Sequence, residues 1–207
     1  GFPYFSKFDT GKYIIDPFLR KKRILTLDYV ILTHPESDHI NGLIHICKNF
    51  KVKKLIKNCD ERTTQAYLDL MALVDNKNID TLHIPPYQQK KNYFDAENLN
   101  NFVYFINTGR AKLYFYHPES SSKYHPTGCQ PDIKTKKTEI EVDYNNNSIV
   151  FKLIFKNSSI LFPGDIMENG EKELAFKYGR GLKSDVLISP HHGSKTSSSD
   201  IFLDLVS

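Results

Sequence analysis

Residues 33–39 read Thr33-His34-Pro35-Glu36-Ser37-Asp38-His39, and four of these seven side chains carry an imidazole nitrogen or a carboxylate oxygen. Just upstream, 27–33 (LDYVILT) is a β-branched and aromatic run of the kind that forms a buried strand. Just downstream, Leu43, Ile44, Ile46 and Cys47 recur at helical spacing, which puts His39 at or near a helix start. A divalent ion needs several imidazole or carboxylate ligands converging on one point, and side chains two residues apart in a tight strand-to-helix loop can converge. Taken alone, an Asp-His pair reads as a helix cap and a lone histidine as a core or surface residue. Four donors in six residues are not explained that way.

The pattern returns twice further along. The run 159–162 leads into Pro163-Gly164-Asp165, and the run 185–189 leads into Pro190-His191-His192-Gly193-Ser194. Three strand ends therefore deliver His or Asp beside turn-forming residues, which is how α/β enzymes collect a site along one edge of a sheet. The remaining elements fit that class: a strand over 52–56, an amphipathic helix over 61–75, a strand over 112–116 ending in His117-Pro118, a strand over 148–155 and a helix over 170–176. Residues 84–101, with Pro85-Pro86, read as a surface insertion. Residues 119–143 read as a long polar loop.

A chain of 207 residues suits one domain, expected to span 1–207. With 40% hydrophobic and 25% charged residues the composition is that of a soluble globular protein, and no apolar run approaches the ~20 residues of a membrane-spanning helix. Cys47, Cys59 and Cys129 are widely separated and read as free thiols. A net charge of +4 permits a polyanionic partner, although the lysine runs at 21–23, 51–57 and 134–137 read as solvated faces.

The run THPESDHINGL resembles the metallo-β-lactamase motif His-x-His-x-Asp-His, with Glu36 where the second histidine usually stands. Together with NNNSIVFKL, ILFPGDI and SDVLISPHHGSKTSSSDIFLDLV, it is similar to the hydrolase domain of ComEC-type competence proteins, inner-membrane proteins of bacterial DNA uptake. The resemblance covers nearly the whole chain, FDTGKYIIDPFLRKKRI included. It implies an α/β fold (α+β in some schemes), a metallo-β-lactamase-like αββα four-layer sandwich. It also implies a fragment of a larger protein, truncated at both ends, whose membrane-spanning part lies elsewhere and whose hydrolase domain faces the outer side of the bacterial inner membrane.

Ligand chemistry and motif matching together assign the roles. His34 and Glu36 help hold one divalent ion, Asp38 and His39 serve a second, and Asp165 bridges them. His192 is the preferred ligand of the last motif and His191 a neighbouring group or proton donor to the leaving oxygen, although the two could exchange. Where family members carry a histidine before the strand at Ser148, this chain has Asn145-Asn146-Asn147; His117 either substitutes or simply terminates its strand. His45, His83 and His125 match no motif and read as structural. One or two ions, zinc or manganese, are expected and no nucleotide cofactor; the carboxylate of Glu36 favours manganese more than a typical zinc site does. Asp38 also orients the attacking water, and Ser194, Lys195 and Thr196 are placed to hold a phosphate, while Ser198 or Ser199 caps the helix that follows.

Three functions compete. The first is a phosphodiesterase or nuclease degrading DNA, with single-stranded DNA as partner. The second is a hydrolase of small esters, lactones or phosphocholine diesters on the same site. The third is a noncatalytic DNA-handling module whose site has degenerated at Glu36 and Asn145.

Overall fold

The computed structural model describes residues 8–84, 93–95, 100–102, 104–118 and 142–207. His125, Cys129 and nearly all of the expected 119–143 loop lie outside them. The chain divides into two compact units, Gly1–His83 and Ile84–Ser207.

In the first unit a π-helical turn (Gly11–Ile15) runs into helix α1 (Asp16–Lys21), which has Pro17 in its first turn, where proline is pre-shaped for a helix. Strand β1 (Thr26–Leu32), helix α2 (Ser37–Asn49), strand β2 (Lys51–Lys57), helix α3 (Gln65–Asn76) and strand β3 (Asp80–His83) follow in strict alternation. The strands form a parallel sheet in the order β1-β2-β3. Val30, Leu32, Val52 and Leu55 of the sheet, Ile40 and Cys47 of α2, and Leu70 and Val74 of α3 make its core. A parallel sheet reached by helical crossovers is what the periodicity predicts. Helix α3 begins four residues later than expected because Thr64 adopts an extended conformation as N-cap. β3 was not expected: DTLH lacks the alternation that marks a strand.

The second unit carries the short ladder of β4 (Tyr93–Asp95) and β5 (Asn100–Phe102), then β6 (Tyr104–Asn107), β7 (Ala111–His117), β8 (Val150–Phe155) and β9 (Ser158–Phe162). Helix α4 (Glu168–Tyr178), strand β10 (Val186–Leu187) and helix α5 (Asp200–Val206) complete it. Its main sheet has the order β10-β9-β8-β7-β6, antiparallel except for the parallel pair of β9 and β10. Tyr114, Tyr116, Val150 and Leu161 of the sheet pack with Leu174, Tyr178, Leu182 and Phe202. The surface insertion expected over 84–101 thus includes β4 and the start of β5.

The expectation of three free thiols is wrong at Cys59. Cys47 is free and fully buried on α2, whereas Cys59 is disulfide-bonded. Sequence spacing misled because a disulfide depends on distance in space and needs no short spacing. Among the described residues no helix is long and apolar enough to cross a membrane.

Candidate metal centre

The first unit gathers donors where β1 becomes α2. His34, one residue beyond Thr33, is fully buried, and Glu36 is the extended N-cap residue of α2, so that Asp38 and His39 sit in the first helical turn. The His34 and His39 rings lie 4.2 Å apart between centroids. Thr33 Oγ1 lies 3.2 Å from His34 Nδ1 and 3.4 Å from His39 Nδ1. One hydroxyl therefore engages the Nδ1 atoms of both rings and leaves Nε2 of each to face a carboxylate. His34 Nε2 is 3.9 Å from Glu36 Oε2, and His39 Nε2 is 3.7 Å from Asp38 Oδ2. Both separations are too long for hydrogen bonds and short enough for each pair to reach a common ion at about 2.0–2.2 Å per bond. Nitrogen and oxygen donors in this arrangement fit a divalent ion, with the hydroxyl beside them acting as the outer support that fixes ligating imidazoles.

Glu36 has a second anchor. Arg62 donates from Nη2 to Glu36 Oε1 at 3.1 Å. The carboxyl is held below the usual range by the His34 imidazole first, then by Arg62 and His39, against the opposing effect of burial. Sequence reading missed both Thr33 and Arg62. Thr33 was legible as the residue opening the motif; Arg62, 26 positions away, carried no signal.

In the second unit Asp165 follows β9 through the turn at Gly164, whose φ is +61°. Its backbone N–H donates to Ser148 Oγ at 3.1 Å, and the Gly164 carbonyl accepts from the His191 N–H at 3.1 Å. These bonds tie the last motif to the end of β9. His192 Nε2 lies 3.2 Å from Asp165 Oδ2; the aspartate is 6% exposed and the imidazole 55%. His191, His192 and Gly193 are consecutive left-handed residues with φ of 45°, 55° and 76°. Two non-glycine residues there cost free energy that a functional turn commonly carries.

His191 turns to Thr196, its Nδ1 3.1 Å from the hydroxyl, and the Ser194 and Thr196 hydroxyls are 3.0 Å apart. Lys195 is exposed. The turn is held from below by Glu171, a fully buried carboxylate on α4 that accepts from the backbone N–H groups of Ser198 at 2.5 Å and Ser199 at 2.8 Å. Ser199 is the N-cap residue of α5, but its hydroxyl makes no capping hydrogen bond. The expected serine cap is thus replaced by Glu171.

His117 stands apart from this pair. It is buried, and its Nε2 donates to the Asn146 carbonyl at 2.9 Å, leaving Nδ1 as the nitrogen with a lone pair. Burial first of all pushes its pKa down to about 4. Asn146 accepts from the Met167 and Gly170 N–H groups through Oδ1, at 2.8 and 3.3 Å, and so fixes the segment after Asp165. Of the unassigned histidines, His45 pairs with Asp16 at 2.8 Å, as a structural residue does.

The metallo-beta-lactamase superfamily profile matches residues 7–64, which contain the whole first donor group. ComE operon protein 3 of Bacillus subtilis is 28% identical over 204 residues, 95% of this chain and 21% of that protein. Competence protein ComA of Neisseria gonorrhoeae is 44% identical over 66 residues, 32% of this chain and 10% of that protein. The chain thus carries a metallo-β-lactamase superfamily segment and is similar over nearly its whole length to a protein of the ComEC type. An uncharacterized Escherichia coli protein, YcaI, is 42% identical over 55 residues, 27% of this chain and 7% of its own length. The chain spans about a fifth or less of each of these relatives. The superfamily match, which lies in the first unit, accords with the alternating strands and helices seen there and with a hydrolase class that uses divalent metal.

Proposed function

We propose that the domain is a metal-dependent phosphodiesterase that cleaves DNA during uptake. The observation that carries this reading is the pair of imidazole–carboxylate couples at 3.7 and 3.9 Å in residues 34–39, an oxygen-rich donor set suited to manganese as well as zinc. His34, Glu36, Asp38 and His39 hold metal from the first unit, and Asp165 and His192 from the second, while His117, bonded to the Asn146 carbonyl, is left as a structural residue. A bound divalent ion supplies water activation and stabilises charge on phosphorus.

The rest falls to the side chains. Asp38 orients the attacking water and accepts its hydrogen bond. His191, aligned by Thr196, delivers a proton to the leaving oxygen. Ser194, Lys195 and Thr196 engage the phosphate through hydroxyl and ammonium groups.

The similarity to proteins named for competence supports DNA, single-stranded in particular, as the substrate, and a membrane-spanning remainder of the same parent protein. The disulfide at Cys59 supports an oxidising location on the outer face of the inner membrane.

The test is cleavage of labelled single- and double-stranded DNA by the purified domain with manganese, zinc or chelator, beside Asp38→Ala and Asp165→Ala. Cleavage that needs metal and falls at least 100-fold in both variants is the expected result. Cleavage unaffected by chelator overturns the reading. Metal binding with no cleavage of either DNA also overturns it, in favour of a small-ester hydrolase or a noncatalytic module.

A further inference from the structure

The first unit contains a cavity of about 510 Å³ that the proposed phosphodiesterase chemistry does not use. It opens at the carboxyl ends of β2 and β3, the edge where open parallel sheets bind ligands. Its size is within the roughly 300–1,000 Å³ of small-molecule sites. Lys57 and His83 are the last residues of those strands, and they are direct partners in the parallel register. Both line the cavity, together with Arg62 and Thr63 on one side and the apolar Leu68, Met71 and Val74 on the other.

Lys57 is the anomaly. Its side chain belongs to a residue only 2% exposed, yet among the described residues its ammonium has no hydrogen bond or ion pair, only the Tyr67 ring at 5.8 Å. A buried cation without a counter-anion is among the costlier arrangements in a protein interior. Nearby carboxylates relieve it only in part: Glu61 and then Asp60 act on it through space without a direct ion pair, Asp60 accepts from Asn58 at 2.8 Å, and Glu61 and Asp75 are exposed at the rim. The neutral His83, its pKa pushed down to about 4 by burial and then by Lys57, adds no counter-charge.

We propose that this cavity binds a small organic phosphate, with phosphate oxygens on the Lys57 ammonium and the organic moiety along Leu68, Met71 and Val74. An oxyanion supplies the missing counter-charge and can also accept from Thr63 and Arg62. The apolar wall calls for more than inorganic phosphate. Glu61 and Asp75 at the rim repel a long polyanion and tolerate a ligand whose single phosphate passes inward. Arg62, which also grips Glu36, joins this cavity to the candidate metal ligands, so that occupancy is felt at Glu36. A nucleoside monophosphate has the required chemistry. The inference does not rest on the nuclease reading, because the ligand contacts no group assigned to cleavage.

The test is calorimetric titration of the purified protein in chelator, at fixed ionic strength, with adenosine 5′-monophosphate, inorganic phosphate and adenosine, for the parent and Lys57→Met. Chelator removes phosphate binding at metal. The expected result is binding of the monophosphate by the parent, binding at least tenfold weaker for inorganic phosphate and for adenosine, and a loss of at least tenfold in Lys57→Met. A second readout needs no variant: the His83 ring resonances of the parent shift on titration with the monophosphate, while those of His45, paired with Asp16, do not. Equal affinity of parent and variant, adenosine binding as well as its phosphate, or an unmoved His83 overturns the proposal. Inorganic phosphate binding as tightly as the monophosphate overturns its organic half and leaves a simple phosphate site.

Discussion

Lys57 shows how much one buried charge can weigh. Burial pulls its pKa from 10.5 down to about 8, with Glu61 and then Asp60 opposing. The folded chain therefore holds that proton less tightly than the unfolded chain. The penalty is fully present below pH 8 and fades as pH rises toward 10.5. Lys57→Met, which keeps the length and removes the charge, is expected to stabilise the ligand-free protein at pH 7 by on the order of 1–3 kcal/mol, with little gain left at pH 10.5. Urea denaturation at the two pH values checks this, and a gain equal at both would remove charge burial as its cause. Arg62 acts at the same scale on the proposed ligand set. Because it fixes Glu36 from outside, Arg62→Ala is expected to weaken metal binding by about 10- to 100-fold with all the proposed ligands intact. Isothermal titration with manganese reads that loss; unchanged affinity would mean that Arg62 does not position Glu36.

Elements carry a different kind of constraint, namely how closely backbones approach and where turns are held. The π-helical turn meets α2 at Gly11, where an added Cβ would lie 2.2 Å from the Gly42 carbonyl oxygen. Gly11→Ala is expected to cost about 1–3 kcal/mol through this clash with backbone that cannot move aside, seen as a lower melting temperature. Glu171 is the corresponding anchor of the second unit. Removing a buried carboxylate that accepts two backbone N–H groups leaves both donors unsatisfied, so Glu171→Ala is expected to lose about 1–3 kcal/mol. It should also raise hydrogen exchange at the Ser198 and Ser199 amides, whereas unchanged exchange would show that the turn holds itself. Strands β1, β2 and β8 and helix α2 were legible because LDYVILT and its counterparts declare their period locally. β3 and β6 were not, since four residues with mixed exposure carry no period. The proposed donors at 34–39, Asp165 and His192 stand in strand-end motifs that the sequence itself displays. Arg62, Glu171 and Lys57 acquire their roles only from neighbours that folding supplies, and Asn146, read as a departure from a family pattern, turns out to hold the segment after Asp165.

At the scale of the molecule the cysteines bear on where the protein works. With three thiols and a formal charge of only +4, neither composition nor charge separates an exported domain from a cytosolic one, but the redox states of the cysteines can. Cys47 is enclosed by the first core, and burial pushes its thiol up to about 11, so it is protonated and unreactive in the folded chain. Cys59 is already bonded. Alkylation of the native protein is therefore expected to leave both unmodified. After denaturation without reductant, Cys47 is labelled and Cys59 is not; after reduction, both are. Reduction should also lower stability by about 2–4 kcal/mol, the usual contribution of a native disulfide, while Cys47→Ala, which removes a free thiol, leaves the response to reductant unchanged. Such a dependence places the working protein where disulfides persist, the condition that an outer-face domain must meet. If Cys59 in freshly isolated protein is alkylated without reductant, that support for an outer-face location is lost, although the proposed metal ligands and the Lys57 cavity are unaffected because none of their assigned contacts involves a cysteine.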